Sequence, residues 1–134
     1  MGLGGTGGEQ PLRVPASIQG SHLILAGPIE NESVISFMYS KPEQLKIACY
    51  NAIQSALTTV DSLSDKECFL VECLGRKMLL GTQFDTELTE ISRQLEGIKR
   101  ICGILSLGEI ANNANHYIEY FNEVCALGIF DATQ

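Results

Sequence analysis

The fold is decided by two stretches, LKIACYNAIQSALTTV at residues 45–60 and CFLVEC at residues 68–73. In the first stretch apolar residues recur at steps of three and four, which predicts a helix with one face packed on a sheet. Ser40, followed by Glu43 three residues later, predicts a capping box at the start of this helix. The second stretch is short and mostly apolar, which is typical of a strand that is covered on both faces.

On either side of these two stretches, the pattern of apolar and turn-forming residues predicts further strands and a second helix. They are strands at residues 21–26, 34–39, 101–107 and 118–129, a turn and hairpin return at 76–80, and a second helix from about Thr82 to Gly97. We therefore predict an α+β domain in which two main helices pack on one face of a largely antiparallel sheet of about five or six strands.

Residues 1–20 are rich in glycine and contain two prolines, so they have little to bury and much backbone entropy to lose. They include the spacing Gly-x-Gly-x-x-Gly from Gly2 to Gly7. Dinucleotide binding requires a strand before this motif and a helix after it, and the sequence offers no such strand. We predict a flexible arm at 1–20, a single folded domain at 21–134, and no cofactor.

The composition limits the function. The chain has 134 residues, 45% of them hydrophobic, which suits one globular domain. Its 16 acidic residues against 9 basic ones give a net charge of −7, which argues against nucleic acid or an anionic membrane as a partner. No apolar run is long enough to span a bilayer. The odd number of cysteines predicts reduced thiols and a cytoplasmic location.

The cysteines raise the questions of catalysis and metal binding. Cys73 ends the 68–73 strand three residues before Arg76, where a positive charge could activate a thiol. Buried cysteine is also common in cores without any chemistry. No cysteine pair has the Cys-x-x-Cys spacing of a zinc site, so the sequence predicts no metal.

Two further polar residues follow or interrupt predicted strands. Glu109 comes directly after a strand and Gly108, where a carboxylate can either project into a crevice or solvate a turn. Asn122 interrupts the last strand, where it either faces solvent or is buried with its amide hydrogen-bonded.

Three motifs in order carry a family resemblance. They are Cys73-Leu74-Gly75-Arg76, Gly108-Glu109-Ile110 and the sequence YFNEV at residues 120–124, preceded by a glycine and proline turn after HLILA. In this order they resemble the C-terminal domain of FIST proteins, the family named for F-box and intracellular signal transduction. The resemblance covers roughly residues 21–130 and does not extend to the FIST N-terminal domain.

The resemblance implies a sensory role, with binding of small ligands such as amino acids. It brings no established binding residues, so Arg76, Glu109, Asn122 and Cys73 are candidates by position. In this hypothesis Arg76 holds a ligand carboxylate and Glu109 holds an ammonium group. The alternative is a protein interaction or oligomerisation module that pairs through a sheet edge. An enzyme with Cys73 as nucleophile ranks last, and we predict a protein that is not an enzyme.

Overall fold

The computed structural model describes residues 2–3, 12–112 and 118–132. Its helices are α1 Pro42–Leu57, α2 Leu74–Leu80 and α3 Phe84–Gln94, with a 3-10 turn at Gly81–Gln83 between the last two. Its strands are β1 Gly2–Leu3, β2 Pro15–Gln19, β3 His22–Leu25, β4 Ile35–Ser36, β5 Lys66–Cys73, β6 Arg100–Ser106, β7 Glu109–Asn112, β8 Ile118–Phe121 and β9 Cys125–Asp131.

A three-stranded sheet with the order β6-β5-β9 forms the centre of the fold. β5 runs parallel to β6 and antiparallel to β9. The parallel pair follows from the connection, because α2 and α3 carry the chain from the end of β5 back to the start of β6. The carboxyl ends of β5 and β6 therefore lie at the same edge of the sheet.

The hydrophobic core lies between one face of this sheet and the helices α1 and α3. Its buried members are Cys49, Ile53, Cys68, Leu70, Ile91 and Leu95. Gly103 allows β6 to approach β5 closely here, since a Cβ at this position would overlap the backbone carbonyl of Leu70. Within the described residues no helix is long and apolar enough to cross a membrane.

The prediction of one largely antiparallel sheet is wrong, although the α+β class and the two main helices are confirmed. Within the described ranges the strands form four small sheets, of which three are hairpins or short ribbons with two strands each. The predicted strand at 118–129 is in fact two strands, β8 and β9, which pair with β7 and β5 respectively. The chain turns between them at Asn122 and Glu123, and Glu123 has a φ of 58° that no regular strand allows.

The predicted hairpin return at 76–80 is also wrong, because these residues belong to α2. Leucine, arginine, lysine and methionine are good helix formers, and Gly81 with a φ of 54° ends the helix. The cap of α1 lies one residue later than predicted. Lys41 is the N-cap residue, and its N–H donates to the Gln44 side chain at 2.9 Å.

Part of the N-terminal region forms a β-hairpin. β2 pairs with β3 in an antiparallel hairpin, and Arg13 is 8% exposed. The predicted strand at 34–39 shortens to the two residues of β4, while Val34, Phe37 and Tyr39 are each more than 80% exposed. Residues 4–11, which hold most of the glycine motif, lie outside the described residues.

Candidate functional site

All four candidate residues lie in the interior of the fold, each at most 3% exposed. Cys73 ends β5, Arg76 lies on α2, Glu109 begins β7, and Asn122 follows β8. They gather near the carboxyl ends of the parallel strands β5 and β6. In α/β structures this edge is the usual place for a ligand.

Arg76 is held by three neighbours. One of its terminal nitrogens donates to the Glu87 carboxylate and to the Leu45 carbonyl, the latter at 2.8 Å. Its Nε lies 3.3 Å from a carboxylate oxygen of Glu72, within ion-pair distance but without the alignment of a hydrogen bond. Arg76 is therefore already engaged by protein groups, which the sequence did not indicate.

Glu72 is the centre of the cluster, although the sequence analysis did not single it out. It is 2% exposed, and neither of its carboxylate oxygens has an aligned hydrogen bond. Burial raises the pKa of Glu72 to about 7, against the opposing effects of the Cys125 thiol and Arg76, while Glu87 and Glu109 add to the rise. The influence of these two carboxylates on Glu72 places all three acidic side chains in one electrostatic environment.

Glu109 is anchored on one side only. Its Oε1 accepts a hydrogen bond from the Ser106 hydroxyl at the end of β6, and its Oε2 is buried with no partner. Its 1% exposure excludes the reading in which this carboxylate solvates a turn.

Asn122 is buried rather than facing solvent, and its neighbours connect it to the N-terminal segment. Its Nδ2 donates to the Tyr120 hydroxyl at 3.1 Å, while its Oδ1 has no partner. The Tyr120 ring lies against Gly108, where any side chain would overlap it. Arg13 stacks over the same ring at 5.2 Å and donates to the Tyr120 carbonyl at 2.8 Å.

The buried polar atoms without a hydrogen bond are mostly acceptors. Within the described residues they are both oxygens of Glu72, Oε2 of Glu87, Oε2 of Glu109, Oδ1 of Asn122 and Nε of Arg76. Buried polar groups almost always find partners in native proteins, and each exception needs a reason. Five acceptor oxygens against one donor nitrogen make this a region that can receive a cationic, donor-rich group.

A separate surface depression of about 480 Å³ lies at the opposite, amino-terminal end of β5. Thr59, Lys66 and Asp131 are among the residues that line it, and none of the four candidate residues does. It holds no unpartnered buried polar atom of the kind found around Glu72. The unpartnered acceptors therefore lie in the buried cluster and not in this depression.

Sequence reasoning missed Glu72, Glu87, Tyr120 and Arg13. A signal existed for the two acids, because Glu72 is a charged residue inside an apolar run. Glu87 lies three residues after Phe84 on the helix face that carries the core residues. For Tyr120 and Arg13 no local pattern was available, since their roles depend on contacts across distant parts of the chain.

Comparison with protein families gives a match to the FIST C domain over residues 1–112, most of the chain. The chain belongs to the FIST C domain family. The resemblance stated from the three motifs is thereby confirmed, and a role in signal transduction is the general kind of function that this family supports. The matched region includes Cys73, Arg76 and Glu109 and ends before Asn122. Neither the comparison with curated proteins nor the comparison with solved structures found a significant match.

Proposed function

We propose that this FIST C domain is a non-enzymatic binding module for a small ligand that carries an ammonium group. The observation that carries the proposal is the excess of unpartnered buried acceptors around Glu72, Glu109 and Asn122. An ammonium group has three donors and no acceptor, so it complements this set. Hydrogen bonds from such a cation to a carboxylate are about twice as strong as those between neutral groups.

The charges of the cluster support the same ligand class. Glu72, Glu87 and Glu109 are buried carboxylates, and Arg76 is the one buried cation that the described residues place among them. Burying unpaired like charges is costly, and a bound cation lowers that cost. A ligand amine would contact Glu109 Oε2 and Asn122 Oδ1, the two free acceptors that lie on or beside the β7–β8 ribbon.

An amino acid would bind Arg76 as well, because it carries a carboxylate in addition to its ammonium group. Its carboxylate would take the guanidinium in exchange for Glu87, the partner on α3. Because Arg76 lies on α2, this exchange would change how α2 and α3 are held together. Binding would then shift the population of two packings, which is what a sensory domain requires.

A thermal-shift screen of amino acids and other small amines tests the proposal. A ligand at 100 times its dissociation constant stabilises the fold by about 2.7 kcal/mol, on the order of 10 °C for a domain of this size. Glu109→Gln keeps the shape of the side chain and the Ser106 contact but removes the charge, so we expect it to abolish the shift. Glu96→Gln is the matched control, because Glu96 is exposed and lies outside the cluster.

Two comparisons among ligands sharpen the result. The same carbon skeleton without the amino group should give no shift, and the amine without the carboxylate should give a smaller one. A shift that survives Glu109→Gln unchanged would contradict the proposed site. A flat screen across all amines would contradict the proposed ligand class.

A second candidate function is an interaction or oligomerisation module, which a different observation favours. The helices cover one face of the β6-β5-β9 sheet, and the opposite face carries Phe69, Ile104 and Phe130, which are 38–55% exposed. An apolar patch of this kind is typical of an interaction surface. Ile104→Lys should lower the apparent mass in light scattering if copies associate through this face, whereas Ile110→Lys on the β7–β8 ribbon should leave it unchanged.

A further inference from the structure

The structure brings together two thiols and a carboxylate from three separate elements. Cys49 lies on α1, Glu72 on β5 and Cys125 on β9. One ligand atom from each, the two Sγ atoms and a carboxylate oxygen, lies within 4.8 Å of the others. No sequence pattern indicated this group, because its members share no short spacing.

Ordinary core packing does not account for this cluster. Cys49 is 3% and Glu72 is 2% exposed, yet both oxygens of Glu72 lack an aligned hydrogen bond. The contact between the thiols is a single weak S–H···S interaction at 3.5 Å. Arg76, at 3.3 Å, compensates the Glu72 charge only in part, and a buried carboxylate whose oxygens lack aligned hydrogen bonds is costly. A bound cation on the free oxygen would remove this cost.

The distance between the sulfurs favours a shared metal over a disulfide. The two Sγ atoms are 3.5 Å apart. A disulfide requires about 2.05 Å, so the strand and the helix would have to close by about 1.5 Å. Two thiolates on a tetrahedral zinc, each about 2.3 Å from the metal, lie about 3.75 Å apart. The observed spacing therefore needs an adjustment of only about 0.25 Å to accept zinc.

We propose that Cys49, Cys125 and Glu72 form a zinc site with three protein ligands and a fourth position for water or an added ligand atom. Thiolate ligands select zinc over magnesium and calcium, which prefer sets of oxygen ligands only. On binding, the two thiols release their protons to solvent and coordinate as thiolates. Arg76, whose Nε lies 3.3 Å from Glu72 Oε2, helps to hold the carboxylate in place.

This site goes beyond the proposed amine-binding function, since the metal uses none of the groups on Glu109 or Asn122. It would join α1 to two strands of the central sheet. Glu72 is a ligand of the proposed metal site and a neighbour of the proposed amine site, so the two proposals are tested with different variants and different readouts.

Cobalt(II) provides the test, because it occupies zinc sites and reports its ligands by absorption. The full chain is reduced with a phosphine, stripped of metal with a chelator and titrated without oxygen. We expect a thiolate-to-cobalt charge-transfer band in the near ultraviolet, saturation at about one equivalent per chain, and loss of the band when zinc is added. Cys49→Ala and Cys125→Ala should each lose at least half of the band, and Glu72→Gln should weaken cobalt binding at least 10-fold.

Cys102→Ala is the matched control, because Cys102 is an exposed thiol on β6 outside the cluster, and this variant should keep the full band. The wild-type titration stands even if a cysteine variant fails to fold, and circular dichroism identifies such a variant. A wild-type chain that gives no charge-transfer band, or a band that survives in both Cys49→Ala and Cys125→Ala, overturns the zinc site. The amine screen is run with chelator present, so its outcome does not depend on the metal.

Discussion

Arg76 on α2 and Glu87 on α3 form an ion pair in which the side chains are 2% and 3% exposed. The same terminal nitrogen of Arg76 also donates to the Leu45 carbonyl on α1 at 2.8 Å. One guanidinium therefore connects the three helices that surround the carboxyl end of β5. The net contribution of so deeply buried a pair to stability is small, because its desolvation cost offsets much of its attraction. Removal of either charge, however, leaves the other one buried and unpaired.

Removal of Arg76 should therefore be strongly destabilising. Arg76→Ala leaves the Glu87 and Glu72 carboxylates buried without a cation, and the free energy of unfolding should fall by about 3–5 kcal/mol. Urea denaturation followed by circular dichroism measures this change. Arg93→Ala is the control, because its pair with Glu90 is 68% and 45% exposed. Exposed pairs of this kind contribute little to stability, so equal losses in the two variants would contradict the structural role of Arg76.

Glu72 should make the stability of the metal-free protein fall as the pH rises. Its folded pKa of about 7 lies above the unfolded value of 4.5, so the folded state binds the proton more tightly between these values. The stabilising contribution is complete below pH 4.5 and is lost as the pH rises through 7. A difference of this size corresponds to about 3 kcal/mol. Glu72→Gln cannot ionise and should lack this component.

The measurement is the free energy of unfolding in urea at several pH values between 5 and 8, with a chelator present. The difference between Glu72→Gln and the wild-type chain should grow with pH. Glu96→Gln, at an exposed position, should follow the wild-type curve. Parallel curves for wild type and Glu72→Gln would show that Glu72 does not titrate in this range.

Helical periodicity and apolar runs predicted α1, α3, β5 and β6 close to their observed bounds, because a short window of sequence contains each of these patterns. The errors arose where pairing between distant parts of the chain determines where a strand begins and ends. The sequence IEYFNEVCALGI is apolar enough for one strand, yet β8 and β9 find different partners, and only Glu123 at positive φ marks the break. The helix α2 was missed because Gly75 and Gly81 suggested a turn, whereas the residues between them favour a helix.

The candidate site was predictable in part. Family motifs drew attention to Arg76, Glu109 and Asn122, all of which are buried at the same edge of the sheet. Their hydrogen-bond partners could not be read from these motifs. Arg76 contacts Glu87 on α3, Glu109 contacts Ser106 on β6, and Asn122 contacts Tyr120 on β8. The local patterns around Glu72 and Glu87 indicated that these two acids are buried, but not which groups surround them. The sequence alone therefore identified candidate residues, but not the side chains that they contact.

Two strand glycines should respond differently to alanine. A Cβ on Gly103 would overlap the backbone carbonyl of Leu70, which has no freedom to move aside in the middle of the sheet. We expect Gly103→Ala to lower the free energy of unfolding by about 1–3 kcal/mol. Gly128 on β9 flanks the same central strand and has no atom within 4 Å of an added Cβ, so Gly128→Ala should stay within about 0.5 kcal/mol of wild type. Thermal denaturation of both variants makes the comparison, and similar losses would contradict the close approach of β5 and β6.

The five thiols should differ in their rates of reaction with an aromatic disulfide reagent. All are free; Cys102 is exposed, while Cys49, Cys68 and Cys73 are buried. Burial, with a contribution from Cys102, also raises the pKa of Cys68 to about 11, which lowers its reactive thiolate fraction. We expect one fast phase that Cys102→Ser removes, followed by slow reaction of the buried thiols as the fold opens. If the fast phase instead remains in Cys102→Ser and disappears in Cys73→Ser, Cys73 is an accessible, activated nucleophile, and the hypothesis of an enzyme regains support over that of a binding module.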